Sequence, residues 1–297
     1  KFILDGLVMS ANQLKISLAQ SNAIVGGTSF NAECALVKAN EEEKKGSELI
    51  VFPEMFLSGY QPLDLVNKKS FLENIFFQLR NIAQRTINLN IRILIGAPWH
   101  LDNKTYNALI SIYKGSIKTV SKKSHLPNYD VFDEKRFFAP GVGLDLLDLG
   151  NIKIGFPICE DAWHPDIIGE LKKLGADLII IPNGSPYETK KLVDRKKVIK
   201  DRCNESSLPI IYLNLVGGQD DLVFDGGSFV CDNRGTTICQ LPQFEEKTQQ
   251  VIFEKKELAW VPLSSSVADI GSHSSQDYKA IVLGLRDYVL KSNFHKV

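Results

Sequence analysis

The sequence predicts an α/β fold in which a mixed β-sheet is covered by outer helices, and three observations carry that prediction. Apolar runs of strand length alternate with amphipathic stretches of helix length along most of the chain. Several pairs of these runs are joined by only a few turn-forming residues, which makes hairpins and disfavours a purely parallel sheet. The chain has 297 residues, 44% hydrophobic and 24% charged, enough to bury a substantial core as one large domain or two ordinary ones.

Leu14 to Ala19 reads as the first strand and Asn31 to Lys45 as a helix with Ala35, Leu36 and Ala39 on one face. Leu49 to Phe52 is a buried strand. Leu63 to Asn88 reads as a long helix, because Phe71, Leu72, Ile75, Phe76 and Leu79 recur at three-to-four spacing. Ile91 to Ala97 is a strand, and Tyr106 to Tyr113 forms a hairpin with Ile117 to Val120 across Lys114-Gly115. Leu144 to Leu149 and Ile152 to Ile158 read as a second hairpin across Gly150-Asn151. The alternation then repeats: helix from Asp166 to Leu174, stopped by Gly175, strand from Asp177 to Ile181, helix from Thr189 to Ser207, strand from Ile210 to Leu215. Ser228 to Cys231 and Thr237 to Cys239 make a hairpin around Asn233-Arg234-Gly235. Pro262 to Ser266 marks a loop, and Ser275 to Leu290 is amphipathic and helical.

The totals exclude several classes. Lys plus Arg (35) equal Asp plus Glu (35), so charge gives no reason to expect nucleic acid or an anionic membrane as partner. No apolar stretch approaches the roughly 18 to 20 residues of a membrane span. Residues 1–8 are apolar but interrupted by Asp5, lack the features of a secretory signal, and read as an extension upstream of Met9. The five cysteines, at 34, 159, 203, 231 and 239, include no C-x-x-C pair and no metal-ligand spacing, which fits reduced thiols in a cytoplasmic protein.

One cysteine departs from the usual reading of a small buried hydrophobe. Cys159 ends the apolar run Ile152 to Ile158, is followed by Glu160 and Asp161, and reads as the C-terminal end of a buried strand, where α/β folds meet their ligands. A thiol there can attack a carbonyl if other groups take its proton and stabilise the oxyanion. Glu54, after Leu49 to Pro53, fits the base, and Lys123, opening Lys123-Ser124-His125-Leu126-Pro127, fits the cation. The backbone N–H of Glu160 is a second oxyanion donor. Taken singly, Glu54 also reads as a loop charge or helix-start acid, and Lys123, beside Lys122, as a surface lysine. Together the three point to amide hydrolysis. A Cys–His protease with His125 as base, and a non-catalytic domain kept for oligomerisation, are weaker readings.

The stretches around these residues resemble the nitrilase (carbon–nitrogen hydrolase) superfamily, and within it the glutaminase domain of bacterial glutamine-dependent NAD synthetases. The resemblance is carried by Phe52-Pro53-Glu54 with Ser58-Gly59-Tyr60 and by Lys123 to Tyr129 running into Val131 to Arg136. It continues in Cys159-Glu160-Asp161 with Trp163, Asn183 to Pro186, and Asp221 to Gly226. It implies an α-β-β-α sandwich of the nitrilase type over residues 14–262, preceded by an extension at 1–13. Residues 263–297 would then form a linker and the opening of a truncated synthetase domain. It also implies Glu54 as general base, Lys123 as oxyanion-stabilising lysine, Cys159 as nucleophile, Glu134 as a second glutamate orienting the lysine, and Tyr129, Ser185 and Lys191 as contacts to L-glutamine. Asp130 stands where the resemblance leads one to expect glycine. The amidase step needs no cofactor or metal; ATP and deamido-NAD belong to the synthetase domain, and no S-G-G-x-D-S or G-x-x-x-x-G-K-[ST] loop occurs in this sequence. A homo-oligomer is implied as well. The alternative from the same chemistry is a stand-alone amidase for another small amide or N-carbamoyl compound.

Overall fold

A computed structural model describes residues 12–257 and 259–294, so the extension read at 1–13 lies outside the described residues except for Asn12 and Gln13, and Gln13 already opens the first strand. In chain order the elements are β1 (Gln13–Gln20), α1 (Thr28–Lys44), β2 (Leu49–Val51), α2 (Lys69–Arg85), β3 (Arg92–Leu101), β4 (Lys104–Tyr113), β5 (Ser116–Lys122), β6 (Leu147–Asp148) and β7 (Lys153–Gly155). There follow α3 (Pro165–Lys173), β8 (Leu178–Asn183), α4 (Lys191–Ser206), β9 (Ile210–Asn214), β10 (Val216–Gln219), β11 (Leu222–Asp225), β12 (Phe229–Cys231), β13 (Thr237–Gln240), β14 (Lys247–Lys256), β15 (Ala259–Pro262) and α5 (His273–Lys291).

The strands sort into a seven-stranded sheet, β15-β14-β1-β2-β3-β4-β5, and a six-stranded sheet, β13-β12-β9-β8-β7-β6. The two-residue period of the strands explains how they stack. In β1 to β4, Leu14, Ile16, Leu18, Leu49, Val51, Leu94 and Leu109 face the second sheet, where Ile154, Leu178, Ile180, Ile211 and Leu213 meet them. The intervening residues Ile50, Ile93, Ile95, Ala108 and Ile110 point the other way, onto Ala35, Leu36 and Ala39 of α1 and Ile75, Leu79 and Ile82 of α2. The outer face of the second sheet, Ile179, Ile181, Ile210 and Tyr212, is covered by Ile168 and Leu171 of α3 and Ile199 and Cys203 of α4. The result is four layers, α-β-β-α, with both faces of each sheet buried. That is why these strands read as unbroken apolar runs rather than alternating ones.

Each sheet is built around three parallel strands linked by helical crossovers, β1-α1-β2-α2-β3 in the first and β7-α3-β8-α4-β9 in the second, with antiparallel strands filling the flanks. Loops leaving the C-terminal ends of β2, β7 and β8 therefore gather at one end of the sandwich.

Several boundaries differ from those read in the sequence. The helix read from Leu63 to Asn88 is a 3₁₀ turn at Leu63–Asn67 followed by α2, because Lys68 takes an extended conformation between them. The hairpin read from Leu144 to Ile158 pairs over only two residues on each strand, and β7 ends at Gly155. Cys159 is thus not the last residue of a strand; it opens a 3₁₀ turn, Cys159–Trp163. The β10–β11 hairpin and the β14–β15 pair went unread, since Gly217-Gly218 and the polar Lys247 to Gln250 carry no strand pattern. The amphipathic tail is α5, which packs Ala280 and Leu283 against Val216 and Phe244. Asp287 accepts from Gly218 N–H and Asn22 Nδ2, both at 2.7 Å.

Leu18→Ala, in the layer between the sheets, is expected to lower stability by about 2–5 kcal/mol. Val37→Ala, on the exposed face of α1, should change it little; urea midpoints measured side by side check the contrast.

Candidate active site

Glu54 lies in the tight turn that leaves β2, where Phe56 N–H donates to Pro53 O and Ser58 N–H to Met55 O. Gly96 lets β3 press against this turn, since a Cβ there would come within 2.4 Å of both Pro53 O and Met55 N. Asn107, inside the apolar β4, donates to Glu54 Oε1 through Nδ2 at 2.7 Å and accepts the Lys123 N–H at 2.8 Å. One strand residue thus ties Glu54 and Lys123 together.

Lys123 follows β5 and is fully buried. Its Nζ donates to Glu54 Oε1 at 2.8 Å and to Glu134 Oε1 at 3.0 Å, leaving one of its three N–H groups for another acceptor. The surface-lysine reading of Lys123 and the loop-charge reading of Glu54 are therefore both wrong. Tyr60 donates its hydroxyl to Glu134 Oε1 at 3.0 Å, and Gly184 N–H donates to Glu54 Oε2 at 2.7 Å.

Cys159 sits at φ +46°, a backbone region that L-residues other than glycine rarely occupy, so the turn presents the thiol under local strain. Asp161 holds that turn in place: Oδ2 accepts Ile158 N–H at 3.0 Å, while Oδ1 accepts the N–H groups of Ser124 at 3.0 Å and His125 at 2.7 Å. One buried carboxylate therefore fixes the cysteine turn to the lysine loop.

The electrostatics follow from burial around a single cation. Burial pushes the Cys159 thiol well above its ordinary range and Glu54 adds to that, against the opposing pull of Lys123, so the resting group is a neutral thiol. Burial works to lower the Lys123 pKa, but Glu134 and Glu54 outweigh it and hold the ammonium well above its usual value. Burial also raises the Glu134 carboxyl to about 7 against the pull of Lys123. Among the described residues, no group of His, Cys, Asp and Glu is arranged to hold a metal ion.

Tyr129, half exposed, donates its hydroxyl to Glu160 Oε2 at 2.8 Å, next to the cysteine. Asp130 adopts φ +49°, the left-handed conformation that makes glycine the expected residue and that aspartate tolerates; the turn closes with Phe132 N–H on Tyr129 O. Ser185 is buried beside Gly184, held by Asn214 and Arg195. Lys191 pairs with Glu188 at 2.9 Å and lies 5.7 Å from the centre of the Trp163 ring, on the turn that Cys159 opens. His125 stacks on His164 and pairs with Asp166 at 2.9 Å, committing its ring away from the thiol.

Tyr60, Asp161 and Gly184 enter the sequence reading only within stretches that carry the resemblance, with no role of their own, and Asn107 does not enter it. Asn107 had left a signal, because an amide inside an apolar strand has to find a buried partner. A surface groove of about 930 Å³ between α2 and β3 lies away from this constellation.

Because its pKa is raised, Glu134 keeps a proton in the folded protein that the unfolded chain releases near 4.5. That stabilisation is complete below 4.5 and is lost as pH rises through about 7. Glu134→Gln, which cannot titrate, is expected to flatten this decline. Urea midpoints across the interval test it, and an unchanged slope would assign the titration elsewhere.

Residues 18–258 match the carbon–nitrogen hydrolase family. The glutamine-dependent NAD(+) synthetase of Rhodobacter capsulatus is 41% identical over 286 residues, covering 96% of this chain and 52% of the relative. That of Thermotoga maritima is 36% identical over 317 residues, covering 96% of this chain and 55% of the relative. The chain thus spans about half the length of the curated relatives it matches. The structure of glutamine-dependent NAD+ synthetase from Acinetobacter baumannii superposes with a TM-score of 0.89 at 31% identity, over 96% of this chain and 53% of that one. An amidase from Nesterenkonia sp. AN1 shares the fold, with a TM-score of 0.70 at 22% identity over 80% of this chain and 92% of its own. With a buried glutamate, lysine and cysteine gathered at one end of an α-β-β-α sandwich, and a family match over most of its length, this chain belongs to the carbon–nitrogen hydrolases.

Proposed function

We propose that the chain is a thiol-dependent glutamine amidohydrolase that releases ammonia from L-glutamine. The observation that carries this reading is the buried set in which one lysine bridges two glutamates beside a neutral cysteine. Cys159 Sγ attacks the carboxamide carbon while Glu54 takes the thiol proton. The oxyanion accepts the remaining Lys123 N–H and the Glu160 N–H, one of the first donors of a helical turn, which have no partner within it. Collapse breaks the C–N bond, and the proton held on Glu54 goes to the leaving nitrogen as ammonia departs. Water then gives a proton to Glu54 and its oxygen to the thioester, and glutamate leaves as the thiol is restored. Glu134 acts through Lys123, holding the ammonium where the oxyanion forms.

Tyr129, Ser185 and Lys191 supply the contacts to glutamine in this reading. Lys191 is placed to meet the α-carboxylate, and Ser185 Oγ, which accepts from Arg195, keeps its own proton to donate. In a protein of the relatives' length, the ammonia would feed NAD synthesis from deamido-NAD in an ATP-dependent synthetase domain, to which residues 263–297 lead. A cytoplasmic homo-oligomer is part of the same reading. The amidase step itself uses neither ATP nor metal.

Ammonia release from a panel of glutamine, asparagine, nicotinamide and N-carbamoyl amino acids tests the substrate. A preference for anything but glutamine would favour the stand-alone amidase. Cys159→Ala is expected to abolish release with the fold intact. Glu54→Gln and Lys123→Ala should each remove most activity without additive loss in combination, since the three act as a unit. Lys191→Ala should weaken kcat/KM for glutamine by roughly ten- to hundredfold, the loss of one shielded charge-assisted contact, and leave a simple aliphatic amide nearly unaffected. Equal losses on both substrates would remove Lys191 from the carboxylate site.

A further inference from the structure

Glu54 uses its two carboxylate oxygens differently. Oε1 accepts two donors, Lys123 Nζ at 2.8 Å and Asn107 Nδ2 at 2.7 Å, while Oε2 accepts only the Gly184 N–H, at 2.7 Å. Oε2 therefore keeps a lone pair free, and it is the oxygen able to receive the thiol proton. Its place is set by one backbone N–H, in the loop that leaves β8.

That loop is clamped from behind by a buried guanidinium. Arg195, on α4, donates through Nε to Ser185 Oγ at 3.1 Å, and through Nη2 to Ser185 O at 2.9 Å and Pro186 O at 2.7 Å. Its Nη1 donates to Asp225 Oδ1 at 2.8 Å and Oδ2 at 3.0 Å. Asp225 in turn accepts Gln243 Nε2 at 2.7 Å. Asn214 completes the clamp, accepting Ser185 N–H at 2.9 Å and donating to Ser185 O at 3.0 Å. Ser185 is thus held at its N–H, its carbonyl and its hydroxyl, and Gly184 is the next residue along the chain. A fully buried arginine thus spends its whole donor fork on one buried loop and one carboxylate.

We propose that Arg195 is a positioning residue for amide hydrolysis: by locking Ser185 it fixes the Gly184 N–H, which aims Glu54 Oε2 at the Cys159 thiol. This rests on the reading of Glu54 as the general base. The hydrogen bonds of Arg195 go to Ser185, Pro186 and Asp225, and it acts through the loop they hold. The assignment separates two effects of the clamp, since loss of Ser185 as a substrate contact would raise KM, whereas misplacing Oε2 slows proton removal and lowers kcat.

The test compares wild type with Arg195→Lys, which keeps a charge opposite Asp225, and with the double variant Arg195→Met/Asp225→Asn, which leaves no buried charge unpaired should the single variant fail to fold. Two quantities are read on each protein: kcat and KM for glutamine, and the rate at which iodoacetamide alkylates Cys159, followed by mass spectrometry. Displacement of the base should lower kcat roughly ten- to hundredfold, beyond any rise in KM that comes through Ser185, and slow alkylation by a similar factor. A raised KM with wild-type kcat and wild-type alkylation would overturn the proposal, leaving Arg195 a support for substrate binding alone; no change in either would overturn it equally. Glu54→Gln serves as the reference. If it alkylates at the wild-type rate, the reading of Glu54 as base fails; if it is slow while both Arg195 variants are not, only the role of Arg195 fails.

Discussion

The site depends on one ammonium placed where water cannot reach it. Lys123 Nζ is fully buried and bridges Glu54 and Glu134. Two carboxylates around one cation would leave a net negative charge in a low-dielectric interior, which is unfavourable without a compensating proton. The protein answers with Glu134, whose carboxyl is raised to about 7, and with hydrogen bonds from Tyr60 and Asn107 that satisfy part of the remaining demand. These partners come from the segment after β2, from β4 and from the segment after β5, so the geometry exists only when the first sheet is assembled, and the Gly184 N–H on Glu54 ties it to the second. A constellation this sensitive to small displacements calls for a rigid frame, and the four-layer sandwich supplies it through two stacked sheets with no solvated face.

The same field decides the state of the nucleophile. A thiolate at Cys159 would be stabilised by Lys123 but opposed by Glu54, Glu134 and Glu160, and burial tips the outcome to the neutral thiol. This differs from cysteine enzymes that hold a ready thiolate against a histidinium. Here His125, a natural suspect in the sequence, spends its ring on Asp166 and His164. In the proposed reaction proton removal would then accompany attack, which places the demand on where Glu54 sits rather than on a standing ion pair. The strained turn at Cys159 and the fixed N–H of Gly184 would be two halves of that one requirement, a donor and an acceptor held in register.

What the sequence made legible follows from the range of the interactions involved. Strand and helix types were readable where burial on both faces made long apolar runs, as in β3, β4, β8 and β9, or where one helical face was apolar, as in α2 and α5. Boundaries failed where a single residue broke the pattern, as Lys68 does before α2. The β10–β11 and β14–β15 hairpins failed because their glycines and glutamines carry no period of their own, and β14 owes its other neighbour to β1, more than 200 residues away. Glu54 and Cys159 stood out because each closes an apolar stretch with a residue whose chemistry is out of place there, and Lys123 because of the loop sequence it opens. Their neighbours stood out less: Tyr60 looks like an ordinary loop residue until the fold turns it inward, and Asn107 is marked only as an amide inside an apolar strand.

Asp161 shows why a local reading cannot recover such supports. In the sequence it is one of two acids after a cysteine, and the eye goes to the acid adjacent to the thiol. In the structure the roles diverge. Glu160 faces outward, taking the Tyr129 hydroxyl and lying 3.5 Å from His164. Asp161 turns inward and accepts three backbone N–H groups, one from its own turn and two from the loop of Lys123. Those bonds favour its charge against the burial that raises its pKa. Cys159 and Lys123 are thereby fixed relative to each other by a residue that needs to touch neither side chain, much as Arg195 holds Ser185, next to the Gly184 N–H that meets Glu54. In both cases the side chain sits on a short turn and its place is set by a buried charge one residue or one loop behind it. Backbone N–H groups suit this task because they cannot titrate or change rotamer, so the geometry they hold is insensitive to protonation changes in front of them.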